Sequence, residues 1–357
     1  MQKVIFAAVL LAASRAGFAQ PALGPAPGPA PGLPSDPRAI FAAAQPFYNF
    51  NDAGLRPFHL KASYQLYDDK GVPADQGTFE YWWASPTVHR SSWKHAGASL
   101  TDWHTADGKV AYQRTGAPLS FVEYKLKEAL LSPLPDEEDL DPAMVRFDRE
   151  PFPAKGVKAP CFMLVPQMNL FGAAKNVPLG LFPTYCFDRE RPVLLASFSI
   201  GSVEEHFQKI AKVQERYLAQ QVVFYENSAK ILAASVDSVT DLAATDPALT
   251  PPEDARMAGT ERKDLDPILE AGRLLKRVIP LYPHDAMQAH AEGAVSLRAI
   301  IGIDGGIHDL SVVSAPWPSL AQAALYAVSH WQYKPYLVNG EPHEVQTTVN
   351  VVFRLGL

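Results

Sequence analysis

The stretch SLAQAALYAVSHWQYKPYLVNGEPHEVQTTVNVVFRLGL, residues 319–357, decides the fold of the C-terminal part of the chain. In its first half, apolar residues recur at offsets of three and four, which predicts an amphipathic helix that covers a sheet. These residues are Leu320, Ala323, Ala324, Ala327, Val328 and Trp331. Ser319 and Gln322 have the spacing of a capping box at the start of this helix, and Pro335 is expected to stop it.

A turn is predicted at residues 339–340, and the last strand of the chain follows it. Its residues alternate, which is typical of a strand with one buried face. The buried face is predicted to hold Val345, Thr347, Val349, Val351 and Phe353. The opposite face is predicted to hold Gln346, Thr348, Asn350 and Val352. Residues 292–316 alternate about a turn at residues 304–306, which predicts a hairpin. The order of elements is strand, strand, helix, strand.

Several spaced motifs in this part resemble the TonB C-terminal domain family. They are YPHDA, Gly293, IDGGI, SAP, the Ala-rich helix before WQYKP, NGEP and TTVNVVF, within roughly residues 269–353. The resemblance implies a small ββαβ domain whose exposed edge strand binds an extended peptide, in TonB itself a segment of an outer-membrane transporter. The partner-binding edge would then consist of Gln346, Thr348, Asn350 and Val352. Open backbone groups at a sheet edge supply such pairing. The alternative is a final strand that only completes its own sheet.

The chain departs from the TonB pattern at its N-terminus. TonB keeps an uncleaved membrane helix, whereas residues 1–19 have Lys3, an apolar run at residues 4–13 and small residues up to Ala19. This is typical of a cleaved signal peptide and predicts an exported, periplasmic protein. Ten helical residues span only about 15 Å. We therefore expect no transmembrane segment in the mature chain and no energy transduction.

Composition divides the rest of the chain. Residues 20–36 are rich in Pro and Gly, which predicts an extended tether. Residues 251–267 are polar and rich in Pro, which predicts a linker. Between them, residues 37–250 predict a β-rich domain, and residues 268–357 form the TonB-like domain. We expect an α+β protein with two domains.

The domain at residues 37–250 alternates polar and apolar residues about turns at residues 69–71 and 107–108, which predicts antiparallel strands. Its pattern resembles the LolA-like half-barrel of periplasmic lipoprotein carriers. The resemblance implies a curved antiparallel sheet, with helices, around an apolar cavity. The candidates to line this cavity are Phe79, Tyr81 and Trp83. The alternative is that these aromatic residues fill an ordinary core.

Other segments of this domain carry weaker local patterns. Short helices are predicted at residues 37–47 and 203–217, and a hairpin is predicted to turn at residues 227–228. The acidic run PDEEDLDP, residues 135–142, lacks the ligand spacing of a calcium loop and predicts a solvated loop.

The chain has two cysteines, Cys161 and Cys186, both in strand-like runs. An exported protein folds in an oxidising compartment, where a structural disulfide is expected rather than a metal site or a nucleophile pair. The alternative is two unpaired buried thiols.

Charge and motif content exclude several classes of function. The net charge of −6 becomes −8 once Lys3 and Arg15 leave with the signal peptide, which argues against nucleic acids and anionic lipid surfaces as partners. No nucleophile elbow, phosphate loop or zinc pattern occurs in the sequence, and His284 and His290 are six residues apart rather than four. We predict no catalytic, cofactor-binding or metal-binding residues.

Two hypotheses follow for the function. The first is a periplasmic interaction protein that binds an envelope partner, such as an outer-membrane transporter or receptor, through the C-terminal edge strand. The second is a carrier that transports an apolar or lipidated ligand in the N-terminal half-barrel.

Overall fold

The structure is a computed structural model that describes most of the chain. The described residues are 33–151, 159–167, 170–171, 177–198 and 203–356. The predicted signal peptide, with its cleavage site after Ala19, lies outside the described residues, as do residues 20–32 of the predicted tether.

The described residues form twenty-one strands. The front part, up to residue 258, contains β1 (Phe58–Tyr67), β2 (Pro73–Ser85), β3 (Val88–His95), β4 (Ala98–His104), β5 (Val110–Gly116), β6 (Val145–Pro151), β7 (Pro160–Pro166), β8 (Thr184–Phe187), β9 (Leu194–Phe198), β10 (Val203–Val213), β11 (Arg216–Glu226), β12 (Ala229–Asp241) and β13 (Arg256–Ala258). The C-terminal part, from residue 263, contains β14 (Lys263–Asp264), β15 (Leu274–Lys276), β16 (Gly293–Ile301), β17 (Ile307–Ser314), β18 (Gln332–Tyr333), β19 (Tyr336–Val338), β20 (Glu341–His343) and β21 (Val345–Phe353).

Helices are few and short in the described residues. The α-helices are α1 (Pro37–Ala44), α2 (Phe121–Leu131), α3 (Pro267–Ala271), α4 (His284–Gln288) and α5 (Pro318–Ser329). The 3-10 helices are Gln45–Phe47, Glu137–Leu140 and Pro247–Leu249. The helix predicted at residues 37–47 is confirmed, since α1 and the first 3-10 helix together cover it. The acidic run contains a 3-10 turn, with Leu140 buried beneath it.

The strands of the front part form one sheet with the order β13-β5-β4-β3-β2-β1-β12-β11-β10-β9-β8-β7-β6. Every neighbouring pair in it is antiparallel. Because β1 pairs with both β2 and β12, it joins two meanders into one surface. The predicted α+β fold with a large antiparallel sheet in its N-terminal part is confirmed.

Helix α2 lies against this sheet and contacts β11 and β12 as well as β17 of the C-terminal part. It begins with a capping box, in which the backbone N–H of Ser120 donates to Glu123 Oε2 at 2.9 Å. The other oxygen of this buried carboxylate, Oε1, accepts from the Tyr64 hydroxyl at 2.6 Å. This helix was not predicted, although the Ser-x-x-Glu spacing at residues 120–123 was available as a signal.

The C-terminal part contains a second sheet with the order β14-β21-β16-β17. Its central strand β16 presents a fully buried row to α5, which packs across β16 and β17. The row consists of Val295, Leu297, Ala299 and Ile301. The predicted ββαβ order of β16, β17, α5 and β21 is confirmed.

The ends of α5 differ from the prediction. Its N-cap is Trp317, with Pro318 as the first helical residue, so the expected capping box of Ser319 and Gln322 is wrong. Proline favours the first helical position because its fixed φ suits the helix and its missing N–H costs nothing there. The helix ends at Ser329, well before Pro335, so proline does not stop it.

The helix predicted at residues 203–217 is wrong, since β10 and β11 form a hairpin there. The residues that connect the two strands, Gln214 and Glu215, both have positive φ (47° and 63°) without being Gly, Asn or Asp. No sequence signal for a hairpin turn was therefore present. Pairing of β10 with β9 and β11 overrides the helical preference of this polar segment.

The cysteines are joined in the large sheet. Cys161 on β7 lies opposite Cys186 on β8, and the structure has a disulfide between them. Both residues are fully buried, with Ala159, Ala196 and Phe198 around them. The predicted bridge is confirmed.

Replacing both cysteines by alanine is expected to lower the free energy of unfolding by about 3 to 3.5 kcal/mol. The bridge closes a loop between residues that are 25 apart in sequence, and its removal restores the chain entropy of that loop to the unfolded state. Urea unfolding measures the change. Reductant should weaken the parent protein similarly and leave the double variant unaffected; a parent whose midpoint does not move with reductant would contradict the prediction.

Candidate functional site

The candidate site is the outer side of β21. On its inner side β21 pairs with β16 along its whole length, from Val345 opposite Ile301 to Phe353 opposite Gly293. The alternation predicted from the sequence is present in the burial of its side chains. The row formed by Val345, Thr347, Val349, Val351 and Phe353 is buried.

The first residues of the outer side are occupied by β14, which belongs to the segment predicted as a linker. Strand β14 runs parallel to β21, with Lys263 beside Val345 and Asp264 beside Gln346. The backbone N–H of Lys263 donates to the carbonyl of Glu344 at 2.9 Å, and that of Leu265 donates to Gln346 at 2.9 Å. The carbonyls of residues 344 and 346 therefore point to the outer side.

Within the described residues, backbone groups farther along β21 make no backbone hydrogen bond on this side. In a strand the N–H and C=O of alternate residues point to the same side, so those of Thr348, Asn350 and Val352 follow the direction of Gln346. After Leu265 the chain enters α3, which contacts β21, and the Leu265 carbonyl accepts from Thr347 Oγ1 at 2.9 Å. Within the described residues, no strand pairs with the outer side of β21 beyond Gln346.

Side chains fix the occupied end of the edge. Glu344 Oε1 is 2.5 Å from Arg262 Nε, and its Oε2 is 3.5 Å from His308 Nδ1. Burial raises the pKa of Glu344, but the hydrogen bonds from His308 and Arg262 outweigh it and lower that pKa below its usual range. The carboxylate is thus held ionised where β14 joins β21.

The four predicted edge residues differ in their surroundings. Gln346 is engaged by the chain itself, since its Nε2 donates to Asp264 Oδ1 at 3.1 Å. Asn350 accepts from the Ser296 hydroxyl of β16 at 2.6 Å, and its residue is exposed. Val352 is 57% exposed. Within the described residues, the predicted edge residues that have no strand partner on the outer side are Thr348, Asn350 and Val352.

The turn of the β16–β17 hairpin fixes the C-terminal part to the front part. Its Asp304 is only 2% exposed, and its carboxylate accepts from the backbone N–H of Leu119 at 3.0 Å, from Gly306 at 2.9 Å and from the Tyr124 hydroxyl. The Asp304 carbonyl accepts from Arg114 at 2.7 Å. The turn is predicted from the sequence but this junction is not, because an aspartate in a hairpin turn is ordinarily exposed.

The aromatic residues predicted to line a cavity lie in the packed core. Phe79, Tyr81 and Trp83 are at most 3% exposed. Phe79 lies 5.0 Å from the Trp93 ring, and Trp83 stacks on Phe58 at 5.6 Å. This burial agrees with the alternative, in which the three aromatic residues fill an ordinary core.

A cavity of about 610 Å³ lies instead between the front part and the C-terminal part. Its apolar lining includes Leu66, Phe121, Ile231 and Trp331. Glu226 also lines it, and burial raises the pKa of this carboxyl to about 7. Its Oε2 is 3.6 Å from His330 Nε2, across the junction.

Among the described residues, no group of three or more His, Cys, Asp or Glu side chains is arranged to hold a metal ion.

Comparison with known proteins gives a class for the C-terminal part. Residues 279–355 match the family described as Gram-negative bacterial TonB protein C-terminal. The match overlaps almost all of the part of the chain whose motifs resemble that family, and it contains β16, β17, α5 and β21. The resemblance inferred from the sequence is confirmed for this part. No curated protein matches the chain.

Two solved structures align with more than half of the chain at low sequence identity. A DUF1329 family protein from Desulfovibrio piger has 9% identity and a TM-score of 0.36, over 59% of this chain and 95% of that one. A LolA superfamily protein from Nitrosomonas europaea has 9% identity and a TM-score of 0.32, over 60% of this chain and 97% of that one. At these values the likenesses carry no conclusion about function.

None of the helices in the described residues combines the length and the apolar content that a bilayer span requires.

Proposed function

We propose that this chain is an exported envelope protein that binds a partner protein at the outer side of β21, without catalysis and without energy transduction. The observation that supports the proposal is the row of outward backbone groups at Thr348, Asn350 and Val352, in a region that matches the TonB C-terminal family. A sheet edge of this kind binds an extended segment through main-chain hydrogen bonds. An outer-membrane transporter or receptor is the class of partner it favours.

The chain's own β14 supports the geometry of such binding. Its parallel pairing at Val345 and Gln346 supports the proposal that the outer side of β21 can accept a strand, and in the described residues no strand pairs with Thr348–Phe353 on that side. Six residues of strand span about 20 Å, so the partner segment would be short. A hydrogen bond contributes only about 0.5 to 1.5 kcal/mol net. Side-chain contacts, with the exposed Val352 foremost, must therefore supply much of the affinity and the choice of partner.

Thr348→Pro is expected to weaken capture of envelope partners by about tenfold or more, because proline lacks the outward N–H that would donate to a partner strand. The edge position allows the strand to keep its bonds to β16, because the N–H of residue 348 points away from that strand. A pull-down from an envelope extract, with the captured proteins quantified by mass spectrometry, measures the effect.

Thr348→Val is the matched control, because it changes the same side chain and keeps the amide. Circular dichroism and thermal unfolding establish that both variants are folded. If folded Thr348→Pro captures the same partners in the same amounts as Thr348→Val, the outer side of β21 is not the binding surface.

The second candidate function is that of a carrier, and the cavity of about 610 Å³ between the two parts favours it. The lining is mixed, with charged residues such as Asp69 and Lys276, and its apolar part could contact an acyl chain, a ligand that would not depend on the edge of β21. Mass spectrometry of organic extracts of the purified protein distinguishes the candidates. Stoichiometric lipid in the extract supports the carrier, whereas a lipid-free protein that still captures a partner supports the interaction protein.

A further inference from the structure

Four cationic side chains line a groove of about 700 Å³ on another side of the junction. Arg114 of β5 and Arg256 of β13 come from the edge of the large sheet, while Arg273 and Lys334 come from the C-terminal part. Among the described residues, no Asp or Glu lines this groove. Such a concentration of positive charge contrasts with the net charge of −6 of the whole chain.

Backbone carbonyls hold two of the guanidinium groups in place. Arg114 Nη1 donates to the carbonyl of Asp304 at 2.7 Å. Arg273 Nη2 donates to the carbonyl of Lys334 at 3.0 Å and also to that of Pro335. Carbonyls orient a guanidinium without neutralising it. Both arginines are therefore positioned before any ligand arrives, which lowers the entropy cost of binding.

The positive charge of the groove is poorly balanced by the protein itself. Within the described residues, no carboxylate lies at ion-pairing distance from Arg114, Arg256 or Lys334. Arg273 has Glu270, with Oε2 at 3.7 Å from Nε. Burial raises the pKa of Glu270 to about 7 despite the opposing effect of Arg273, so this partner is incompletely ionised at neutral pH.

We propose that this groove binds a phosphate group, free or esterified, that bridges the front part and the C-terminal part. Arginine forks match the oxygens of phosphate, and four cations suit a group that carries nearly two negative charges better than they suit a single carboxylate. The groove also has an apolar wall that includes Leu337, which is 52% exposed. This wall suits an organic substituent on the phosphate. The inference does not depend on the edge of β21.

The test compares two double variants of the full chain. Arg256→Gln/Lys334→Gln removes two exposed cations from the groove. Arg56→Gln/Lys109→Gln removes two exposed cations elsewhere and changes the net charge by the same amount. Calorimetric titration with pyrophosphate and with inorganic phosphate measures binding of soluble phosphates. Co-sedimentation with phosphatidylcholine vesicles, with and without phosphatidic acid, measures binding of a phosphate carried by a lipid.

The parent protein is expected to bind pyrophosphate or the vesicles with phosphatidic acid, and to lose binding at high salt. The groove variant should bind about tenfold more weakly or worse, while the control variant should equal the parent. Binding of the soluble phosphates alone identifies a free phosphate compound as the ligand, and binding of the vesicles alone identifies a lipid headgroup. A parent that binds none of these probes overturns the proposal, as does an equal loss in both double variants.

Discussion

Asp304→Ala is expected to lower the free energy of unfolding by about 3 to 5 kcal/mol. Most of this loss should come from the hydrogen bonds that join the C-terminal part to the front part of the chain. The aspartate carboxylate is almost fully buried and accepts hydrogen bonds from two backbone N–H groups and one hydroxyl. Alanine leaves the N–H groups of Leu119 and Gly306 and the Tyr124 hydroxyl without this acceptor. A buried donor that loses its partner costs about 1 to 3 kcal/mol.

Asp107→Ala is the comparison, since Asp107 also lies in a hairpin turn but is exposed. Its cost should be much smaller than that of Asp304→Ala, because Asp107 is solvated. Urea unfolding measures both variants, and limited proteolysis of residues 251–267 detects loosening of the junction in Asp304→Ala. Equal costs for the two variants would disprove the role given to the buried carboxylate.

Trp331→Ala is likewise expected to cost about 3 to 5 kcal/mol. Trp331 lies just after α5, is 6% exposed, and donates from Nε1 to the carbonyl of Val278 at 2.8 Å. The truncation would leave a large cavity beside Tyr333, whose ring centroid is 6.4 Å from that of Trp331. It would also leave the Val278 carbonyl without its donor.

Trp331→Phe separates these two contributions, because phenylalanine keeps most of the apolar volume and lacks the indole N–H. We expect it to cost about 1 to 2 kcal/mol, well below alanine. Thermal and urea unfolding of the three proteins give the ranking. A loss under about 1 kcal/mol for Trp331→Ala would mean that the indole does not anchor the helix to the sheet.

Local patterns were sufficient for most of the C-terminal part. The alternation of β21 and the turn at residues 304–306 are set by neighbouring residues, and the structure has both. The prediction for residues 203–217 failed for the opposite reason. Its polar residues permit a helix, and only pairing with distant strands makes it a hairpin.

The parts of the site that sequence could not predict all depend on contacts between distant residues. Leu265 meets Thr347 across 82 positions of sequence, and nothing in the polar linker indicates that it pairs with the last strand. Asp304 meets Leu119 across 185 positions. The cationic groove likewise unites residues from three separate regions, so that the acidic composition of the chain concealed it.

The segment around β13 and β14 has a further consequence for the solubility of the protein. Strand β13 covers the outer side of β5, and five positions later β14 covers the beginning of β21. Uncovered strand edges are templates for association between copies of a chain. One short polar segment therefore covers an edge strand of the large sheet and the beginning of β21 in the four-stranded sheet, which reduces the strand edge available for self-association.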